Sequence, residues 1–200
     1  MTAMMGFADV APPPWRPIRR PRAVFMGSIA SMGTLRLRGL ALAGAILVLD
    51  QVSKYWLIAW MAEQGGWRQL TGFFNLVMVW NRGISFGIFQ SGETGRWLLV
   101  LFSGLVCVGL AIWLWRQNRQ WPSLALGAVI GGALGNIVDR IWHGAVADFF
   151  DIHLMGYHWP AFNIADSAIT IGVGMLLFDS FRASADGGDS SVSNDVSNGA

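Results

Sequence analysis

The stretch Gly131 to Asp151, GGALGNIVDRIWHGAVADFFD, carries Asp139, Arg140, His143 and Asp148 directly after a long apolar run. A helix over 124–143 puts Asn136, Asp139, Arg140 and His143 at i, i+3, i+4 and i+7, on one face. Ile137, Val138, Ile141 and Trp142 fall on the other. The spacing recurs in Asp50, Ser53 and Lys54, and again in Asn163, Asp166, Ser167 and Thr170. Carboxylates gathered in an apolar setting have two chemistries open to them. In a pair that shares one proton, one carboxylate takes a proton from water as it attacks a peptide carbonyl, and the protonated one polarises that carbonyl. In a carrier, intramembrane carboxylates pass protons or ions. Blander roles suit some positions. Lys54, His143, His153 and His158 fit snorkelling or interfacial side chains, and Asp139 beside Arg140 fits a structural ion pair. Asp148 and Asp166 are harder to explain that way, but spacing alone does not choose between Asp139 and Asp148.

Other chemistries lack their residues. The sequence has no HExxH, no GxSxG, no P-loop and no dinucleotide fingerprint. His153 and His158 beside Asp148 and Asp151 could be imagined as metal ligands, but their spacing matches no strong signature. The single cysteine, Cys107, lies inside an apolar run and reads as a small buried hydrophobe; it excludes an internal disulfide.

These polar faces need elements to hold them. Of the 200 residues, 54% are hydrophobic and only 13% charged, against about 25% charged in soluble domains, so the chain is read as an integral membrane protein. A formal charge of +2 is weak grounds for a nucleic-acid partner, and none is expected. Four segments, about 39–60, 96–115, 122–143 and 163–181, are long and apolar enough to span a bilayer. The first is too long for the h-region of a secretory signal peptide. Tryptophans such as Trp60, Trp97, Trp115, Trp121 and Trp142 sit at their ends, as interfacial anchors do. The GxxxG spacings Gly127/Gly131 and Gly131/Gly135 indicate close helix packing.

Basic residues group before the first span (Arg16 to Arg38), between the second and third (Arg116, Arg119) and after the fourth (Arg182). The positive-inside rule places all of these, and both termini, in the cytoplasm. Residues 1–35 are expected to be a disordered basic extension and 183–200 a disordered tail, flanking a membrane domain over 36–182. The outward connection 61–95 mixes β-branched and aromatic residues with glycine, predicting a strand-rich element with a turn at Asn81 and Gly83. The outward connection 144–162 is expected to be a short interfacial helix or loop ending near Pro160. At 1.5 Å per residue Asp139 lies about 26 Å beyond Pro122. The polar faces of the first, third and fourth spans therefore meet at one depth, near the outer surface.

The motifs DQVSK (Asp50 to Lys54), NRG (Asn81 to Gly83), GGALGNIVDR (Gly131 to Arg140), VADF (Val146 to Phe149) and FNIADS (Phe162 to Ser167) occur in this order. The chain strongly resembles bacterial lipoprotein signal peptidase, or signal peptidase II, over about 36–182. That resemblance implies an all-α membrane fold of four transmembrane helices with a small β-rich extracytoplasmic cradle. It implies an intramembrane aspartyl endopeptidase that removes signal peptides from prolipoproteins, cutting before a diacylglyceryl-modified cysteine, without a metal or cofactor. The family's catalytic pair falls on Asp148 and Asp166. Asp50, Lys54, Asn81, Gly83, Asn136, Asp139, Arg140 and Asn163 match motif positions that look supporting or substrate-orienting. Prolipoproteins, membrane lipid and globomycin-type cyclic peptide inhibitors are the implied partners. The chain departs from the family in its flanks, a longer Pro/Arg-rich start and a Ser/Asp-rich tail. The competing proton- or ion-coupled carrier fits less well, because carriers place binding groups near the midplane between repeated halves.

Overall fold

The structure, a computed structural model, describes residues 22–83 and 92–188, with side chains over 33–83, 92–182 and at 184. Expectations for 1–21, 84–91 and 189–200 lie outside the described residues. Four helices and four strands alternate: α1 (Arg22–Glu63), β1 (Trp67–Gln69), β2 (Phe74–Asn81), α2 (Gly92–Trp115), α3 (Gln120–His143), β3 (Val146–Leu154), β4 (Tyr157–His158) and α4 (Ile164–Gly188). Three of them, α2, α3 and α4 over Ile164–Arg182, are long and apolar enough to cross a membrane.

Two boundaries differ from expectation. Residues 22–35, expected to be part of a disordered extension, continue α1. The last proline before them is Pro21, and the stretch beyond it holds apolar and small residues that nothing prevents from helix. Residues 183–188, expected in the tail, continue α4.

Helix α3 is the central element, packed against α1, α2 and α4. Its small residues permit this. A Cβ at Gly131 would meet the Ala43 carbonyl of α1, and one at Gly127 the carbonyl of Gly39. On the α4 side, a Cβ at Gly132 would meet the Ala165 carbonyl. The glycine spacing thus works as close packing, as expected. At one end Arg119 binds Asp179 of α4 through two bonds of 2.8 and 2.7 Å. At the other, Gly144 adopts a left-handed φ of 76° and returns its N–H to the Arg140 carbonyl, ending the helix sharply.

The connection 144–162, expected as a short interfacial helix or loop, is instead a pair of strands. They complete an antiparallel sheet in the order β1-β2-β3-β4. Residues 146–151 are nearly all buried. A strand covered on both faces loses the in–out alternation that marks strands in a sequence, which explains the missed assignment. Leu76 and Phe149 pack with Leu57 and Met61 of α1, seating the sheet on the helices.

Candidate active site

Asp148 stands on β3, four residues beyond the glycine that ends α3. Its neighbour across the sheet is set by a bulge. Leu76 pairs with Phe150, but Val79 pairs with Asp148, so β2 holds one extra residue between them. Directly opposed residues share a face of the sheet, as do residues two apart. The bulge therefore turns Asn81, two beyond Val79, onto the face of Asp148; unbulged pairing would have put Trp80 there. Asn81 Nδ2 donates to Asp148 Oδ2 at 3.1 Å, and its own Oδ1 accepts from the Gly83 N–H at 3.2 Å.

Asp166 is set by the start of α4. Phe162 bridges back to Phe150 through N–H···O bonds of 2.8 and 3.1 Å, which brings the helix entry alongside β3. Asn163 caps the helix: its Oδ1 accepts from the Asp166 N–H at 2.9 Å, and its N–H donates to Asp166 Oδ2 at 3.3 Å. This is a reciprocal capping box with Asn and Asp in the two roles. Asn163 Nδ2 donates to Asp148 Oδ1 at 2.7 Å, so one residue holds both carboxylates. The remaining oxygen, Asp166 Oδ1, accepts from Asn136 Nδ2 at 2.8 Å.

Behind these lies a buried charge cluster. Lys54 Nζ bonds Asp50 Oδ2 at 2.7 Å, Asp139 Oδ2 at 2.9 Å and Asn136 Oδ1 at 3.2 Å. Asp50 Oδ1 accepts from the Ala165 N–H at 2.9 Å, and Asp139 Oδ2 from the Ala147 N–H at 3.2 Å. The cluster thus ties α1 and α3 to the starts of α4 and β3. Gln51, absent from the sequence-predicted set, donates to Asp139 Oδ1 at 3.0 Å and to the Gly135 carbonyl at 3.2 Å. Its neighbours in DQVSK were the available signal.

A cavity of about 970 Å³ opens beside Asp166, which lines it together with Asn81, the partner of Asp148. Arg140, Asp166, Ser167 and Thr170 supply polar lining; Ile152 and Trp159 lie on the apolar side. Arg140 Nη1 donates to the Asn136 carbonyl at 3.2 Å. Asp148 is 2% exposed, and its pKa is pushed up to about 7. Burial is the larger cause and the charge of Asp166 adds to it, against the lowering effects of Asn81, Lys54 and Asn163.

All the sequence-predicted site residues meet here. Of the other residues on the polar faces, Ser53 bonds back to the Asp50 carbonyl, and His143 is exposed and packs on Trp80 at 5.4 Å between ring centres.

The family model for Signal peptidase (SPase) II matches residues 42–182. The chain belongs to the signal peptidase II family. It is 45% identical over 143 residues to the lipoprotein signal peptidase of Caulobacter vibrioides, covering 70% of this chain and 84% of that protein. It is 47% identical over 146 residues to that of Rhodopseudomonas palustris, covering 70% and 89%. Among solved structures, it is similar to a bacterial membrane enzyme determined by the in meso method at 2.3 Å resolution. That match has a TM-score of 0.65 and 28% identity over 74% of this chain and 90% of the other. A second such enzyme, at 1.9 Å resolution, gives a TM-score of 0.61 and 31% identity over 70% and 90%. The chain is accordingly a multi-pass membrane enzyme, an aspartic endopeptidase with lipoprotein signal peptidase activity.

Proposed function

We propose that Asp148 and Asp166 are the aspartyl pair of this peptidase, and that its substrates are prolipoproteins already carrying a diacylglyceryl group on the cysteine after the scissile bond. One observation carries the reading. Two carboxylates are held by a single capping residue, Asn163, one of them, Asp166, lining a cavity large enough for a peptide, and burial with mutual repulsion keeps a proton on the pair near neutrality. The ionised carboxylate takes a proton from water as its oxygen adds to the peptide carbonyl. The protonated one polarises that carbonyl, and collapse of the tetrahedral species hands a proton to the departing amide nitrogen. Arg140, Asn81 and Gly83 orient the peptide from the cavity wall. Asp50, Lys54, Asn136, Asp139 and Asn163 support the pair from behind.

The site faces the extracytoplasmic side and the described helix ends at 22 and 188 face the cytoplasm. The arginines before α1, between α2 and α3 and after α4 support this orientation. A lipid-modified cysteine held at the interface then presents its scissile bond where water is available. Cyclic lipopeptides of the globomycin type are expected to compete for the cavity.

The test uses full-length protein in liposomes with a diacylglyceryl-modified prolipoprotein. Asp148→Asn and Asp166→Asn are each expected to lower cleavage by at least about 10³-fold while remaining folded. Wild-type cleavage by either variant would remove that residue from the pair.

A further inference from the structure

Three asparagines address the two carboxylates, and each must turn its N–H rather than its carbonyl toward them. An amide flipped end for end fills the same space, so the choice is made by what holds its oxygen. For Asn81 that is the Gly83 N–H, and for Asn163 the Asp166 N–H. Both are main-chain donors fixed by local geometry.

Asn136 is different. Its Oδ1 accepts from Lys54 Nζ at 3.2 Å, with Asn163 Nδ2 at 3.4 Å, while its Nδ2 meets Asp166 Oδ1 at 2.8 Å. An ammonium has donors only, so the atom facing it must be the amide oxygen. The ammonium cannot wander, because Asp50 of its own helix and Asp139 of α3 hold it at 2.7 and 2.9 Å. Lys54 is 2% exposed, and water has little room to substitute for it.

Resting on the assignment of Asp148 and Asp166 as the aspartyl pair, we infer that Lys54 is a positioning residue: its ammonium locks the Asn136 amide so that an N–H is always presented to Asp166. Without that lock, the amide can turn its carbonyl onto Asp166 Oδ1, an arrangement satisfied only when that oxygen carries a proton. The pair then retains its protons to higher pH. Loss of the nearby cation acts in the same direction, since a positive charge favours ionised carboxylates. The expected signature is a displaced pH profile as well as a slower enzyme.

The experiment compares wild type, Lys54→Met and Asn136→Leu in liposomes, measuring kcat and KM for prolipoprotein cleavage across pH. Lys54→Met leaves two buried carboxylates without their cation, so Lys54→Met/Asp139→Asn is run alongside it, with Asp139→Asn as control. This double variant keeps the net charge of the cluster and still removes the donor to Asn136. The expected result in both Lys54 backgrounds is a fall in kcat of roughly tenfold or more with KM changed by less than about threefold. The bell-shaped profile moves to higher pH by about half a unit or more relative to wild type, which has the same cluster charge as the double variant. Adding Lys54→Met/Asp139→Asn to Asn136→Leu, which leaves the net charge of the cluster unchanged, is expected to move it no further than Asn136→Leu alone, since Lys54 acts through that amide. An unmoved profile, or shifts that simply add, overturns the inference. The outcome is separable from the pair assignment: Asp148→Asn and Asp166→Asn can abolish cleavage while Lys54 variants keep the wild-type profile, in which case only the present inference fails.

Discussion

Asp148 has a proton affinity far from that of an ordinary carboxylate, and the sign of its effect on stability follows. Its folded pKa of about 7 stands above the ordinary 3.8. Between those values the folded chain keeps a proton that the unfolded chain has released, so this group makes the protein less stable as pH rises from about 4 to about 7. The effect is on the order of a few kcal/mol. Asp148→Asn, which cannot ionise, is expected to abolish cleavage and yet melt higher than wild type at pH 8, with the gap closing toward pH 5. Thermal unfolding in detergent at both pH values measures this, and a variant less stable than wild type at pH 8 would contradict it. Cleavage by wild type is expected to decline above neutrality as the shared proton leaves. The motif spacing already exposed both Asp148 and Asp139, and only the family resemblance preferred the former. The structure supplies a physical difference: Asp139 is paired with the Lys54 ammonium at 2.9 Å, whereas Asp148 bonds the neutral amides of Asn81 and Asn163 and has the like charge of Asp166 beside it. Pairing of that kind depends on partners from other elements, α1 for Asp139 and β2 and the α4 entry for Asp148, and has no local sequence signal.

At the scale of elements, the site depends on how near α3 can come to α1. A Cβ at Gly135 would run into the carboxylate of Asp50, which must reach past it to the start of α4. Gly135→Ala is therefore expected to displace Asp50, costing about 1–3 kcal/mol and slowing cleavage through the loosened α4 start. Gly104→Ala on α2 is the matched control, because a Cβ there meets nothing within 4 Å. It is expected to be neutral or to gain up to about 1 kcal/mol from helix propensity. Equal melting temperatures for the two variants would refute the packing argument. The four helices were legible because hydropathy and tryptophan placement act over twenty residues at a time. The small-residue spacing in α3 was legible for the same reason. The β2 bulge was not, since FNLVMVWN has a suitable composition in either register and only the pairing with β3 decides that Asn81 rather than Trp80 faces Asp148. Likewise VADFFD has no alternation to announce a strand, because both of its faces are covered.

For the whole molecule, the question is where the sheet stands relative to the bilayer. In the β3–β4 hairpin His153 pairs with His158 and Leu154 with Tyr157, and the Trp159 N–H bonds the Ile152 carbonyl at 2.8 Å. That register places Ile152, Leu154, Tyr157 and Trp159 on one face and Asp151, His153 and His158 on the other. The polar face is closed by bonds from His158 and Asn75 to Asp151. The apolar face is bare, with Leu154 and Trp159 each 69% exposed and Tyr157 87%. Ile152 and Trp159 also line the cavity, next to Thr170 and Ile171 of the membrane-crossing α4. An apolar face this exposed is stable beside a membrane if lipid covers it, and aromatic residues with polar tips are the usual occupants of that interface. The hairpin tip is accordingly expected to dip into the bilayer surface at the mouth of the cavity, where an acylated cysteine would arrive. A spin label on Met155→Cys, in a Cys107→Ala background and reconstituted in liposomes, reports this directly. Collisional relaxation by oxygen, which concentrates in lipid, is expected to exceed that by a water-soluble nickel chelate. The reverse ranking at Met155, together with unchanged cleavage when Leu154 and Tyr157 are both replaced by serine, would place the hairpin in water and leave lipid delivery to the helices alone.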